Sequence, residues 1–161
     1  MNGLVRDRAG VLGTYDSGEV KVHRRKKLPH WDAAHGVQFI TFCVGDGRQL
    51  SHEDARVVED VIKHDDGRRY ALLVWCVMPD HAHVIVRPKV PVADIVKTWK
   101  SVSARPIAGG TLWQEDYFDR LIRNSRELAD TIDYVMNNPE AAQLEGWDHK
   151  GMYPDRIGEC V

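Results

Sequence analysis

The chain has 161 residues, of which 43% are hydrophobic and 29% charged, and these values suit one globular domain with its own core. A formal net charge of -2 excludes a uniformly basic surface, so any binding of nucleic acid must come from local patches. No apolar run approaches the roughly 20 residues of a membrane span. We therefore expect no membrane partner. The three cysteines form no C-x-x-C pair, which favours a reducing, cytoplasmic location.

The first segment, residues 1–30, has little hydrophobic periodicity and contains a basic run. We expect it to form a poorly structured arm ahead of the domain. Its basic residues could contact phosphates, and the aromatic side chain that follows could stack on an unpaired base. The alternative is a solvated tail, with the aromatic ring packed on the domain. The candidates are Arg24, Arg25, Lys26, Lys27 and Trp31.

The next segments predict a strand, a helix and a second strand. "VQFITFCV" (37–44) carries β-branched and aromatic residues and ends at a turn sequence, "GDG". "SHEDARVVEDVIKHDDG" opens with a capping box of Ser51 and Asp54, which marks a helix start. Residues 68–77 are almost continuously apolar, as expected for a central strand.

The stretch "MPDHAHVIVRP" (78–88) predicts a tight turn and a returning strand with two histidines at its start. Side chains alternate between the faces of a strand, so His81 and His83 share one face and Ala82 lies on the other. Two neighbouring imidazoles are potential metal ligands. The alternative is a polar strand start with two exposed histidines. Asp80 could orient a ligand histidine or simply belong to the turn.

Residues 91–105 predict a second helix, and residues 111–123 predict a long strand. We expect Ile95, Trp99 and Val102 to share the buried face of this helix, with lysines on the opposite one. The basic side chains of these two elements are further candidates for phosphate contacts, although charged residues usually lie on solvated faces. They are Lys97, Lys100, Arg120 and Arg123.

"SRELADTIDYVMNNPEAAQL" (125–144) predicts a third helix, with Ser125 as its cap and Leu128 and Val135 on its buried stripe. At about 100° per residue, Tyr134 lies roughly 140° from the centre of that stripe. Asn138 follows one turn later on the same side as Tyr134. The alternative is an exposed tyrosine followed by an Asn-Pro helix end. Residues 146–161 are expected to form a loop-like tail.

The predicted order is β-α-β-β-α-β-α. Its first six elements fit the ferredoxin-like split βαβ pattern, an α+β fold in which both helices cover one face of an antiparallel sheet. The third helix is free to pack on the other face, beside His81 and His83. We therefore expect a basic N-terminal arm (1–30), one folded domain (31–145) and a C-terminal tail (146–161).

Four stretches occur in an order and spacing that resemble the single-tyrosine HUH transposases of the small insertion-sequence type. They are "MPDHAHVIV", "WK", "WQEDYFDRLIR" and "EL…TIDYVMNNP". Within that group the chain is most similar to the REP-associated tyrosine transposases. The resemblance covers roughly residues 24–147, and it implies the ferredoxin-like fold that the element order also predicts.

The resemblance assigns roles to individual residues. Tyr134 aligns with the nucleophilic tyrosine, and His81, His83 and Asn138 align with the ligands of a divalent metal, Mg²⁺ or Mn²⁺. Ala82 departs mildly from the bulkier hydrophobic residue that often separates the two histidines. Lys97 and Lys100 align with the Trp-Lys helix, and Tyr117 is interpreted as structural.

The implied activity is that of an endonuclease and strand transferase, which cuts single-stranded DNA beside a hairpin or palindrome through a 5′-phosphotyrosine intermediate. Repetitive extragenic palindromes are the substrates that the family suggests. Two other functions stay open: a domesticated protein that binds hairpin DNA or RNA without cutting, and a metal-dependent hydrolase that uses the histidine pair. The sequence leaves open whether the chain acts as a monomer or as a homodimer.

Overall fold

In the computed structural model, residues 36–158 are described in full. Before them, only the backbones of β1 (Gly3–Asp7), β2 (Gly10–Tyr15) and β3 (Lys21–Val22) are described. These strands contradict the expectation of an arm without secondary structure. β1 and β2 pair with each other, and β3 adds to the free edge of a longer strand, which offers unpaired backbone groups. The basic run 24–27 and Trp31 lie outside the described residues.

The domain follows the predicted β-α-β-β-α-β-α order, and three short elements complete it. The core elements are β4 (Val37–Val44), α1 (His52–His64), β5 (Tyr70–Val77), β6 (His81–Pro88), α2 (Val92–Ala108) and β7 (Trp113–Ile122). They are followed by α3 (Ser125–Met136), α4 (Asn138–Ala141), β8 (Lys150–Met152) and α5 (Pro154–Ile157). The capping box of Ser51 and Asp54 is present at the start of α1, as predicted.

The main sheet has six strands in the order β3-β7-β4-β6-β5-β8, and every pairing between them is antiparallel. Its four central strands, β7-β4-β6-β5, are the fourth, first, third and second strands of the predicted pattern. This is the strand order of the ferredoxin-like fold, which is therefore confirmed.

Each face of the sheet has its own core. α1 and α2 cover one face, where Phe42, Tyr70 and Trp99 are buried. α3 covers the other face, where Leu128 and Val135 pack against apolar side chains of the sheet. The predicted placement of the third helix is thus confirmed. One face of the sheet is covered by two helices and the other by α3.

Three helix predictions were wrong in detail. Val102 is 51% exposed, and Ser103 takes its place on the buried face of α2 beside Ile95, Val96 and Trp99. The third helix ends at Met136 instead of running on to Leu144, because Pro139 has no N–H to bond to the carbonyl four residues earlier. Its cap is Asn124, whose side chain accepts from the backbone N–H of Glu127; Ser125 is the first helical residue.

The predicted loop-like tail is instead part of the sheet. β8 pairs with the edge strand β5, and Trp147 donates from Nε1 to the carbonyl of Val77 at 2.7 Å. A strand of three residues is too short to show hydrophobic alternation in a sequence.

None of the helices described between residues 36 and 158 is long and apolar enough to cross a membrane.

Candidate active site

His81 and His83 lie on the α3 face of β6, and Ala82 and Val84 lie on the other face, as the strand alternation predicts. The two imidazole rings meet edge to face with their centroids 4.5 Å apart. Their Nε2 atoms are 2.9 Å apart. Two nitrogens that can serve as metal ligands therefore lie next to each other.

The outer nitrogen of each ring has its own oxygen partner. Asp80 Oδ1 lies 2.6 Å from His81 Nδ1, and Thr41 Oγ1 lies 2.8 Å from His83 Nδ1. Thr41 reaches the ring because it is the cross-strand neighbour of His83 in the β4–β6 register. When both oxygens accept from Nδ1–H, both Nε2 atoms carry lone pairs and point toward each other.

The local electrostatics favour neutral imidazole at the inner position. Burial of His83 and the neighbouring charge of His81 hold the pKa of His83 well below its ordinary value. The hydrogen bond from His81 lowers the pKa of Asp80. A carboxylate and a neutral imidazole are the protonation states that a metal site needs.

Tyr134 of α3 packs beside His83. Its half-buried ring is 5.3 Å from the ring of His83 and meets the ring of Phe39 edge-on at 6.3 Å, both measured between centroids. The helical projection predicts that Tyr134 lies away from the buried stripe. In the structure Tyr134 instead packs at the margin of the core between α3 and the sheet.

Asn138 enters the site from the first position of α4, because the break at Asn137 separates α4 from α3. Its Nδ2 lies 3.5 Å from His83 Nε2, at the limit of a hydrogen bond. The oxygen and nitrogen of an amide exchange places by a flip of the group. The side chain can therefore direct a neutral oxygen toward the two Nε2 atoms.

These donors fit a divalent metal with two imidazole nitrogens and one amide oxygen. Between residues 36 and 158, no group of three His, Cys, Asp or Glu side chains is arranged to hold a metal. Asn138 is the side chain beside the two imidazoles that offers a further, oxygen donor. A mixed set of nitrogen and oxygen donors is compatible with Mg²⁺ or Mn²⁺, and imidazole shifts the preference toward Mn²⁺.

The predicted phosphate-contacting residues are spread over the molecule. Lys97 is exposed on α2, on the opposite side of the sheet from the histidines, and Arg123 is exposed after β7. Lys100 donates from Nζ to the backbone carbonyls of Gln114, Glu115 and Asp116, at 2.7, 3.1 and 2.9 Å.

Arg120 forms an ion pair with Glu127 and donates to Thr131 Oγ1 at 3.1 Å. Lys100 and Arg120 thus have structural partners within the domain. Contacts of any of these residues with DNA stay predictions.

Sequence reasoning missed Thr41 and Phe39. Both lie inside the apolar run "VQFITFCV", where a threonine and a phenylalanine fit an ordinary strand. The signal was their spacing of two residues, which places them on one face. Only the register of β4 against β6 shows that this face is the one that carries His83.

Two sequence comparisons relate the chain to known transposases. The family model described as "Transposase IS200 like" matches residues 40–138, which include His81, His83, Tyr134 and Asn138. The "REP-associated tyrosine transposase" of Escherichia coli (strain K12) is 25% identical in an alignment of 109 residues, and the match covers 58% of this chain and 66% of that protein. The chain thus spans just under two thirds of this relative's length.

A solved structure has the same fold. It is described as a REP-associated tyrosine transposase bound to a REP hairpin, and it superposes with a TM-score of 0.60 over 76% of each chain at 20% identity. The likeness at this identity concerns the fold, and the family match covers more than half of the sequence. The chain therefore belongs to the IS200-like transposase family.

Proposed function

We propose that this chain is a metal-dependent endonuclease and strand transferase that cuts single-stranded DNA through a covalent bond to Tyr134. One observation carries the proposal. The centroid of the Tyr134 ring lies 5.3 Å from that of His83, whose Nε2 is 2.9 Å from the Nε2 of His81. The proposed nucleophile thus lies next to the two nitrogens that would bind the metal and, through it, the phosphate.

The reaction is a transesterification at phosphorus. The Tyr134 hydroxyl loses its proton, its oxygen bonds to the scissile phosphorus, and the bond from phosphorus to the 3′ oxygen breaks. The 3′ oxygen takes up a proton and leaves as a free 3′-OH, while the 5′ end stays on the tyrosine. Because the number of phosphodiester bonds is unchanged, a later 3′-OH can rejoin the strand without ATP.

The side chains of the site prepare this step. Asp80 and Thr41 orient the two imidazoles, and Asn138 adds an oxygen donor on the same side. A divalent ion bound by these donors would neutralise phosphate charge and make the phosphorus more electrophilic. Phe39 and the body of α3 support the Tyr134 ring, so that its direction of approach is limited before DNA binds.

The substrate that we propose is a folded DNA hairpin with a single-stranded flank, such as a repetitive extragenic palindrome. The support is the family match together with the solved relative, whose description names a REP hairpin. The exposed basic side chains Lys97 and Arg123, together with the basic run 24–27, are the candidates for phosphate contacts. Such contacts would supply affinity and position without reading sequence.

The test is a covalent adduct on a denaturing gel. The full chain is incubated with a hairpin oligonucleotide and Mn²⁺, and is then denatured. We expect an adduct with the unsubstituted chain and with Tyr117→Phe, and none with Tyr134→Phe. Tyr117 is the matched control because it pairs with Phe42 and packs on the α1–α2 face, away from the histidines.

The same assay separates the competing functions. An adduct that persists in Tyr134→Phe refutes this nucleophile. Cut DNA without any adduct favours a hydrolase that uses water, and hairpin binding without cutting favours a domesticated binding protein. Cleavage that continues at full rate in excess EDTA would refute the metal requirement, as would full cleavage by His81→Ala.

A further inference from the structure

The register of the edge strand β8 is set by one glycine. Trp75, Cys76 and Val74 of β5 pair with Gly151, Lys150 and Met152. A Cβ atom at Gly151 would lie 2.4 Å from the Trp75 indole, so no larger residue fits opposite that ring. A shift of β8 by one residue would place a side chain there, and the pairing is therefore confined to this register.

This register places Lys150 on the α3 face of the sheet. Its partner Cys76 belongs to the core beneath α3, and cross-strand partners point to the same side. The Lys150 ammonium donates to the carbonyl of Met136 at 2.7 Å and to Glu140 Oε1 at 2.7 Å. One cation thus connects the sheet edge with the end of α3 and with α4.

A cation at the C-terminal end of α3 would stabilise this helix. The last carbonyls of a helix have no partner within it, and the helix dipole makes this end negative. The last turn of α3, all of it within the described residues, contains no basic side chain of its own. Lys150, which is only 17% exposed, supplies the charge and the donor from another element.

The bonded carbonyl lies between the two candidate functional side chains of this region. Met136 follows Tyr134 by two residues and precedes Asn138 by two. At this point α3 ends and α4 begins, so the chain changes direction between the two side chains. A helix junction without a fixed point could rotate, and Tyr134 and Asn138 would then move relative to each other.

We propose that Lys150 is a positioning residue that holds the α3–α4 junction, and through it sets Tyr134 and Asn138 against the histidine pair. The proposal rests on the proposed function, because it assigns Lys150 to the same site. Gly151 and Trp75 fix the register, the register directs Lys150 to Met136, and this contact orders the tyrosine helix at its C-terminal end.

The first test reads the position of the tyrosine without any activity. Aromatic NMR signals of Tyr134, identified by their loss in Tyr134→Phe, are shifted by the rings of Phe39 and His83. We expect Lys150→Met to move these signals toward the values of a free tyrosine, and Lys150→Arg to retain them. Lys89→Met is the matched control, because Lys89 also donates to a backbone carbonyl, that of Gly67 at 2.6 Å, remote from the site.

The second test is single-turnover cleavage at saturating hairpin DNA with Mn²⁺. We expect Lys150→Met to slow cleavage by roughly tenfold or more while the Kd for the hairpin changes less than about twofold. Lys150→Arg should recover most of the rate, and Lys89→Met should leave both quantities unchanged. A purely structural lysine would lower the folded fraction without this split between rate and affinity.

Unchanged Tyr134 signals and an unchanged cleavage rate in Lys150→Met would overturn the proposal. If Lys150→Met does not fold, Lys150→Gln replaces it, and unshifted Tyr134 signals there would overturn the proposal equally. If the unsubstituted chain cuts no DNA, the proposed function fails on its own, and the NMR comparison still decides the role of Lys150.

Discussion

The two faces of the sheet bury polar groups in different ways. On the α1–α2 face, Trp99 donates to Tyr70 Oη at 2.8 Å, and Tyr70 donates to the carbonyl of Ile62 at 2.5 Å. On the α3 face, His83 is fully buried, and its Nε2 faces the Nε2 of His81. The first arrangement forms a complete hydrogen-bonded chain, and the second leaves ligand nitrogens directed toward each other.

This difference suggests a division of labour within one sheet. A buried polar group whose hydrogen-bond partners are in place stabilises the fold. A site prepared for a ligand instead leaves some buried polar atoms without such partners, which lowers the free energy of unfolding. Substitutions on the α1–α2 face should therefore lower the free energy of unfolding. Conservative substitutions near the histidines should reduce activity more than they reduce the free energy of unfolding.

The largest expected effect is that of Trp99→Ala. Trp99 is buried, stacks on Phe42 with ring centroids 5.7 Å apart and donates to Tyr70. We expect its truncation to lower the free energy of unfolding by about 3–5 kcal/mol, measured by urea denaturation. Val102→Ala on the same helix is the control, and its exposed site predicts a change within about 0.5 kcal/mol. Similar losses in the two variants would contradict this account of the α1–α2 core.

The second prediction concerns Thr41→Val, which keeps the shape of the side chain and removes the oxygen beside His83 Nδ1. Loss of a group that orients a ligand histidine should reduce cleavage by roughly 10–100-fold. The free energy of unfolding should fall by about 1–3 kcal/mol, because the buried His83 Nδ1 loses its partner.

Thr98→Val on α2 is the matched control for Thr41→Val. Its hydroxyl accepts from Arg69 at 2.7 Å, remote from the histidines, so the cleavage rate should not change. Equal losses of activity in the two threonine variants would remove the distinction between the faces.

The third and smallest expected effect is a pH dependence at Lys100. Burial lowers the pKa of Lys100 to about 8 from its ordinary value of 10.5. Between these values the unfolded chain binds the proton more tightly than the folded one, so raising the pH should increase the free energy of unfolding. Subtraction of the Lys100→Met variant, measured at about pH 7 and about pH 9.5, removes the other titrating groups.

The carbonyls of Gln114, Glu115 and Asp116 oppose this effect, because they accept from Nζ and favour the charged ammonium. The Lys100 comparison therefore has two distinguishable outcomes. The quantity compared is the free energy of unfolding of the unsubstituted chain minus that of Lys100→Met. If this value becomes more positive as the pH rises, burial dominates the pKa. If the same value becomes more negative as the pH rises, the three carbonyls dominate, and the predicted direction is contradicted.

Much of the fold could be predicted because its signals are local. β4 and β6 have the bounds that their β-branched and aromatic residues and the adjacent turns predict, and the start of α1 follows from its capping box. β8 could not be predicted, since its three residues show no pattern and their position depends on fit against Trp75. The exposed side of α2 was misjudged at Val102, where a hydrophobic residue lies in solvent.

The candidate site was predictable in its principal residues and not in their partners. The spacing of His81 and His83 and the family resemblance of Tyr134 and Asn138 led to one location, and the structure brings all four together. Thr41 and Lys150 reach this region through strand register and a distant edge strand. Such long-range pairing is a tertiary property that no window of sequence contains.

The central claim is that Tyr134, on the α3 face, is the nucleophile. It is tested most directly by mass spectrometry of the tryptic peptides after reaction with a hairpin oligonucleotide and removal of excess DNA by nuclease. The account predicts a nucleotide attached by its 5′ phosphate to peptide 127–150, at Tyr134, and an unmodified peptide 101–120, which contains Tyr117. A nucleotide on peptide 101–120, or cut DNA with no modified peptide, would contradict it.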